Sequence, residues 1–145
     1  MMDEIDKKIV ELLQDNSRIS ITDIGKLINL SRPSVSERIA RLVEKGILAK
    51  FTTYVPAHMV GHQVSFFMEI SDLKVSCDKI VNILLSNEYV TEVHCVTGST
   101  NYIARASMPS IEMMNEFLSE LMKYSQVVTS IILHSPLAYR PIKPL

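Results

Sequence analysis

The chain lacks long apolar runs, low-complexity tracts, internal repeats at solenoid period and any surplus of positive charge, and it has only two cysteines in 145 residues. Each scarcity excludes something. Apolar runs are short and broken by charges, so no transmembrane span is expected and no membrane partner. The acidic opening "MMDEID" is unlike the basic start of a signal peptide, so the expected location is cytoplasmic. Cys77 and Cys95 lack CxxC spacing, suit a reducing compartment and are expected as small core residues. A net charge of −1 by itself argues against nucleic acid. What is present is a chain 47% apolar and 21% charged, enough to bury a core and exclude disorder, at a length that fits one domain of ordinary size or two small ones.

The distribution of charge says more than its sum. Within residues 32–50 five basic side chains (Arg32, Arg38, Arg41, Lys45, Lys50) face two acidic ones, Glu37 and Glu44. An electrostatic footprint need only be local, because screening limits its reach to roughly 10 Å. Apolar positions Ile5, Ile9, Leu12 and Leu13 recur at helical spacing over 3–15, with Asp3 placed to cap the first turn. Ser20 opens a second short helix carrying Ile21, Ile24, Leu27 and Ile28. Gly25 within it costs about 1 kcal/mol relative to alanine, which close approach of a neighbour would explain.

The stretch "NLSRPSVSERIARLVEKGIL" predicts a third helix. With Ser31 as N-cap, Pro33 falls in the first turn, where its missing N–H has no intrahelical partner to lose. Val35, Ile39 and Leu42 form the apolar stripe, and Gly46 sits where a C′ residue is wanted. Three helices, the last two joined by a tight turn, are the layout of a helix-turn-helix unit. Opposite the stripe lie Pro33, Ser34, Glu37, Ala40 and Arg41, flanked by Ser36. Serine bonds phosphates or base edges, and arginine binds guanine bidentately. Arg32, at the N-terminal end, stands where recognition residues usually meet bases. Glu37 could accept from cytosine or pair with Arg41 at i+4. Arg38, beside the stripe, suits a phosphate contact or an intra-domain ion pair, and Lys45 and Lys50 suit the DNA backbone. The expected partner is double-stranded DNA, although the same face would serve as the solvated side of any amphipathic helix.

After Gly46, "ILAKFTTYV" is rich in β-formers and reads as a strand, followed by a linker punctuated by Pro56 and Gly61. The expected domains are 1–48 (helix-turn-helix), 49–62 (strand and linker) and 63–145. The last begins with a strand around 63–70, a helix around 76–86, and strands around 90–97 and 102–107. A helix around 109–123 and a strand around 126–134 complete the ferredoxin-like order βαββαβ. The fold class is therefore α+β, a three-helix, winged-helix-like head followed by that domain. His58, His62, His94 and His134 have no recognised ligand spacing with the cysteines, and no nucleophile elbow accompanies His134, so no metal, cofactor or catalytic set is expected. The Met-rich segment with Met113, Met114 and Met122 reads as core and assembly surface.

On "DEIDKKIVELLQDNSRIS", "DIGKLINLS" and "SVSERIARLVEKGIL" the chain resembles the Lrp/AsnC (feast/famine) family of transcriptional regulators, over nearly its whole length. The resemblance implies DNA binding through the third helix and a βαββαβ effector and oligomerisation domain. It also implies homodimers assembled into tetramers or octamers, and amino-acid effectors held between dimers. The family commonly carries Gly-x-x-Asp-Tyr/Phe between the second and third strands of that domain; here the stretch is "TGSTNYIA". The implied effector residues are Gly98, Ser99, Thr100, Asn101 and Tyr102, with Thr129 on the last strand. Asn101 replaces the acidic residue. An aspartate would pair with the ammonium of an amino acid, whereas asparagine offers only dipolar hydrogen bonds. The lost contact is worth about 1.5–3 kcal/mol, one to two decades of affinity. The ligand is then weak, different or absent, and the loop alternatively a plain β-turn. An effector-independent protein that bends or compacts DNA is the second reading, and a ferredoxin-like sensor or small enzyme the third.

Overall fold

The computed structural model describes residues 2–145, which form two compact units. One runs through Tyr54 and includes Leu137–Leu145; the other is Val55–Pro136. Residues 137–145, read from sequence as the end of the second domain, thus lie with the first. Among the described residues no helix is long and apolar enough to cross a membrane.

The first unit holds α1 (Glu4–Asp15), α2 (Ile21–Ile28) and α3 (Arg32–Glu44). Each begins on a side-chain cap: Asp3, Ser20 and Ser31 accept from the backbone N–H three residues on. Ile9, Val10, Leu13, Ile24, Val35 and Leu42 form the core where the three apolar stripes meet. The expected strand over "ILAKFTTYV" is absent. Residues 49–54 form no ladder, because among the described residues of this unit no strand lies to supply backbone partners. A one-turn 3₁₀ helix, Ala57–Val60, follows.

The second unit is β1 (Val64–Ser71), α4 (Cys77–Ser86), β2 (Val90–Cys95), β3 (Tyr102–Met108), α5 (Ile111–Leu121) and β4 (Gln126–Ile131). The strands pair antiparallel in the order β2-β3-β1-β4, which gives the ferredoxin-like arrangement. Alternate residues of the central strands, Val64, Phe66, Met68 and Ile70 with Tyr102, Ala104, Ala106 and Met108, are buried with Ile80, Leu84, Met114, Leu118 and Leu121 of the helices. The opposite sheet face carries Phe67, Glu69, Ile103, Arg105 and Val128. Of these, Phe67, Glu69 and Val128 are exposed. Both cysteines are exposed rather than core residues. Cys77 is the first residue of α4 and Cys95 the last of edge strand β2, positions the core does not cover.

Candidate nucleic-acid interface and effector loop

The start of α3 is built by its two serines and its proline. The Ser34 N–H donates to Ser31 Oγ at 3.4 Å, the two hydroxyls lie 2.8 Å apart, and Pro33 occupies the first turn. The helix ends on a Schellman motif: the Gly46 N–H donates to the Val43 carbonyl (2.9 Å) and the Ile47 N–H to that of Leu42 (3.0 Å). Gly46 takes φ +69°, the left-handed conformation this cap requires. Val35 and Leu42 are buried and Ile39 half-buried, so the helix is held by the predicted stripe.

Its outer side exposes Arg32, Pro33, Ser36, Glu37, Ala40 and Lys45. Ser34 is half-buried, its hydroxyl shared with the cap. Among the described residues Arg32, Glu37 and Lys45 have no ion-pair partner within 4 Å. The intrahelical Glu37–Arg41 pair does not form. Arg41 instead directs Nη2 to Asp6 Oδ1 at 3.5 Å, with 41% of its side chain exposed.

Arg38 takes the ion-pair alternative. Its Nη1 donates to Asp3 Oδ2 at 2.7 Å and to Asp6 Oδ1 at 2.6 Å, with Asp6 almost wholly buried. The Asp6 backbone N–H and the Arg38 guanidinium hold the Asp3 carboxyl below its ordinary pKa. The hydrogen bonds it donates to Asp3 and Asp6 push the pKa of the Arg38 guanidinium upward in turn. The clamp fixes α3 against α1 and removes Arg38 from the outward-facing charge. Asp3 and Asp6 repeat the i, i+3 spacing of Arg38 and Arg41, the one sequence signal that pointed to this pairing.

Gly25 explains how closely α2 and α3 can be joined. A Cβ there would lie 2.6 Å from the Leu30 carbonyl oxygen and 3.8 Å from Val35 Cγ2. The neighbour is thus chiefly the turn backbone that leads into α3, reached through Asn29 at φ +55°.

In the second unit the segment 98–101 caps the β2–β3 hairpin. Gly98 has φ +110°, and the backbone of Asn101 anchors the loop, its N–H donating to Ile70 (2.8 Å) and its carbonyl accepting from Val96 (3.1 Å). The Asn101 side chain is exposed. Tyr102 turns the other way, buried beneath the helices, where the Cys77 thiol beside its hydroxyl and burial raise its pKa. Thr129 is not brought to this loop. It pairs with Met68 on β4, and β1 lies between β4 and β3, a separation of about 10 Å across the sheet.

Residues 2–43 match the AsnC-type helix-turn-helix domain, and residues 65–142 match the Lrp/AsnC ligand binding domain. The chain belongs to the Lrp/AsnC family. It is a helix-turn-helix transcriptional regulator with a ligand-binding domain, as the sequence resemblance implied. It is 28% identical to the transcriptional regulator LrpA of Bacillus subtilis over 92% of this chain and 98% of that one. It is 30% identical to the regulator FL11 of Pyrococcus furiosus over 81% and 78%. The solved structure of B. subtilis LrpC superposes with a TM-score of 0.90 at 27% identity, covering 96% of this chain and 99% of that one. Within this Lrp/AsnC chain, the helix-turn-helix match contains α3 through Val43, and the ligand-binding match contains the 98–101 loop.

Proposed function

We propose that α3 enters the major groove and that Arg32, Ser36 and Glu37 meet base edges, with Pro33, Ser34 and Ala40 setting how closely the helix approaches. Lys45 and Lys50 contact phosphates. Arg41, half engaged by Asp6, adds a weaker contact, and Arg38 serves the fold rather than the DNA. The observation that carries this reading is the exposed outer side of α3, whose Arg32 and Glu37 have no ion-pair partner among the described residues. Its role is binding DNA and regulating transcription, not catalysis, and its place is the cytoplasm, on the nucleoid.

Paired half-sites need paired heads, so the regulator is at least a homodimer, assembled further into tetramers or octamers. Supporting this, Phe67 and Val128 leave apolar surface on the uncovered face of the sheet. The β-rich segment before the 3₁₀ helix also has free backbone groups that a second copy could pair. The effector is an amino acid or related molecule received at the 98–101 loop, and Thr129 contributes only if assembly brings it there. The exposed, neutral Asn101 favours the second reading, an architectural protein that bends or compacts DNA with no effector.

DNA selected from a random pool by the full chain, with and without amino acids, tests these assignments. On that DNA, Arg32→Ala is expected to lose about 1–3 kcal/mol of affinity and to relax specificity at one position. Lys45→Ala should weaken all sequences alike and lower the salt slope by about one. Unchanged binding by both variants sinks the assignment. An amino acid that alters oligomer size removes the architectural reading.

A further inference from the structure

The chain passes between the two units twice, once at Tyr54–Val55 and again at Pro136–Leu137. The second passage ends in "LAYRPIKPL", which is fastened to the head by specific contacts. The Gln14 side chain on the last turn of α1 brackets the backbone of one residue, Ile142. Its Nε2 donates to the Ile142 carbonyl at 2.8 Å, and its Oε1 accepts from the Ile142 N–H at 3.1 Å. A side-chain amide thereby makes the two-way pairing that a neighbouring strand would make. The register is restricted by composition. Pro141 and Pro144 have no N–H, so neither can replace Ile142 in this pairing, and a slip by one residue toward Pro141 would lose the donor. Tyr139 stacks on Tyr54, ring centroids 6.2 Å apart and planes 16° apart. Two residues before Tyr54, the Thr52 carbonyl accepts from Ser17 Oγ at 3.2 Å, so the first connection is pinned to the same end of α1.

We infer that Gln14 and Tyr54 are positioning residues for DNA recognition: they dock the C-terminal tail on the head as a second tether and so restrict the head's swing. Because the tail is already joined through its own chain, its effective concentration at the head is in the millimolar range, and contacts this modest suffice. Prolines 136, 141 and 144 reduce the entropy lost when it docks. A head on one flexible linker would accept half-sites at many spacings. A head on two tethers accepts few. The inference rests on the proposed paired reading of DNA for its consequence, but not for the tethering itself.

Two measurements on the full-length protein separate those levels. Without DNA, a dye on Lys8→Cys in a Cys77→Ser, Cys95→Ser background reports head motion by time-resolved anisotropy. Gln14→Ala, Tyr54→Ala and removal of residues 137–145 should each add or enlarge a fast component, while Tyr54→Phe, which keeps the ring stack, should not. An identical decay in the truncated and complete chains overturns the tether whatever the DNA result. With duplexes selected by the wild-type protein, inserting five base pairs between half-sites turns them to opposite faces. The wild type should then lose about 100-fold in affinity and the released variants about tenfold or less, with single half-site affinity unchanged. Equal penalties for wild type and released variants refute the positioning role. If the wild type selects no DNA, the proposed function fails and the anisotropy still decides the tether.

Discussion

Replacing Gly25 by alanine sets two effects of opposite sign against each other inside the head. Alanine gains about 1 kcal/mol over glycine in a helix interior. The same methyl would lie 2.6 Å from the Leu30 carbonyl oxygen, far inside any contact a side-chain carbon normally makes. That oxygen cannot turn aside freely. The Leu30 N–H is bonded to the Gly25 carbonyl at 2.9 Å, and Ser31, the next residue, caps α3. Relief therefore requires the turn and the start of α3 to move together, and overpacking of this kind costs typically 1–3 kcal/mol. The clash wins by about 1 kcal/mol, which lowers the midpoint of a head this size by about 4–8 °C. Calorimetry would read this as a downward shift of the head's transition with the second domain's unchanged. DNA affinity should fall as well, because the recognition helix is displaced. A midpoint equal to or above that of the wild type would refute the reasoning, since it would mean the turn yields at no cost.

Arg38→Met should lower the head's stability by about 2 kcal/mol, because the nearly buried Asp6 keeps only Arg41 at 3.5 Å; equilibrium urea unfolding measures it. The Asp3 carboxyl is depressed, so its contribution is full above the unfolded value near 3.8 and is lost as pH falls through the lower folded value. Asp3→Asn, which keeps a capping side chain, should make the head's unfolding midpoint less sensitive to pH below about 4. Asn101→Asp should tighten amino-acid binding by one to two decades in calorimetry if the hairpin loop is the effector site. No gain there would move the effector elsewhere or remove it.

Local chemistry made much of this protein legible in its residues. Ser31 before Pro33 placed the start of α3, and Gly46 placed its end, because caps depend only on neighbours in the chain. Alternation over Val64–Ile70 and helical spacing from Ile80 to Leu84 gave βαββαβ, with element ends within two residues except the last strand, which stops at Ile131 rather than 134. The "ILAKFTTYV" segment failed as a strand for the complementary reason. Its β-propensity is local, whereas a ladder needs a partner, and none lies in its unit. Cys77 and Cys95 are exposed against the expectation for their residue type, because average burial says nothing about an element's end.

Neighbouring residues along the chain settle where each helix of the head starts and stops, which side of α3 is apolar, and the order of elements in the second domain. The family-matching motifs lie along the chain in that order. Packing settles the fates of residues whose partners are distant in the chain. Arg38 meets Asp3 and Asp6 from more than thirty residues away, Gln14 meets Ile142 across 128, and Thr129 lies across β1 from the loop it was grouped with. The physical reason is that caps and periodicity are properties of neighbouring residues, whereas an ion pair, a docked tail or a shared site exists only once packing brings separate segments together.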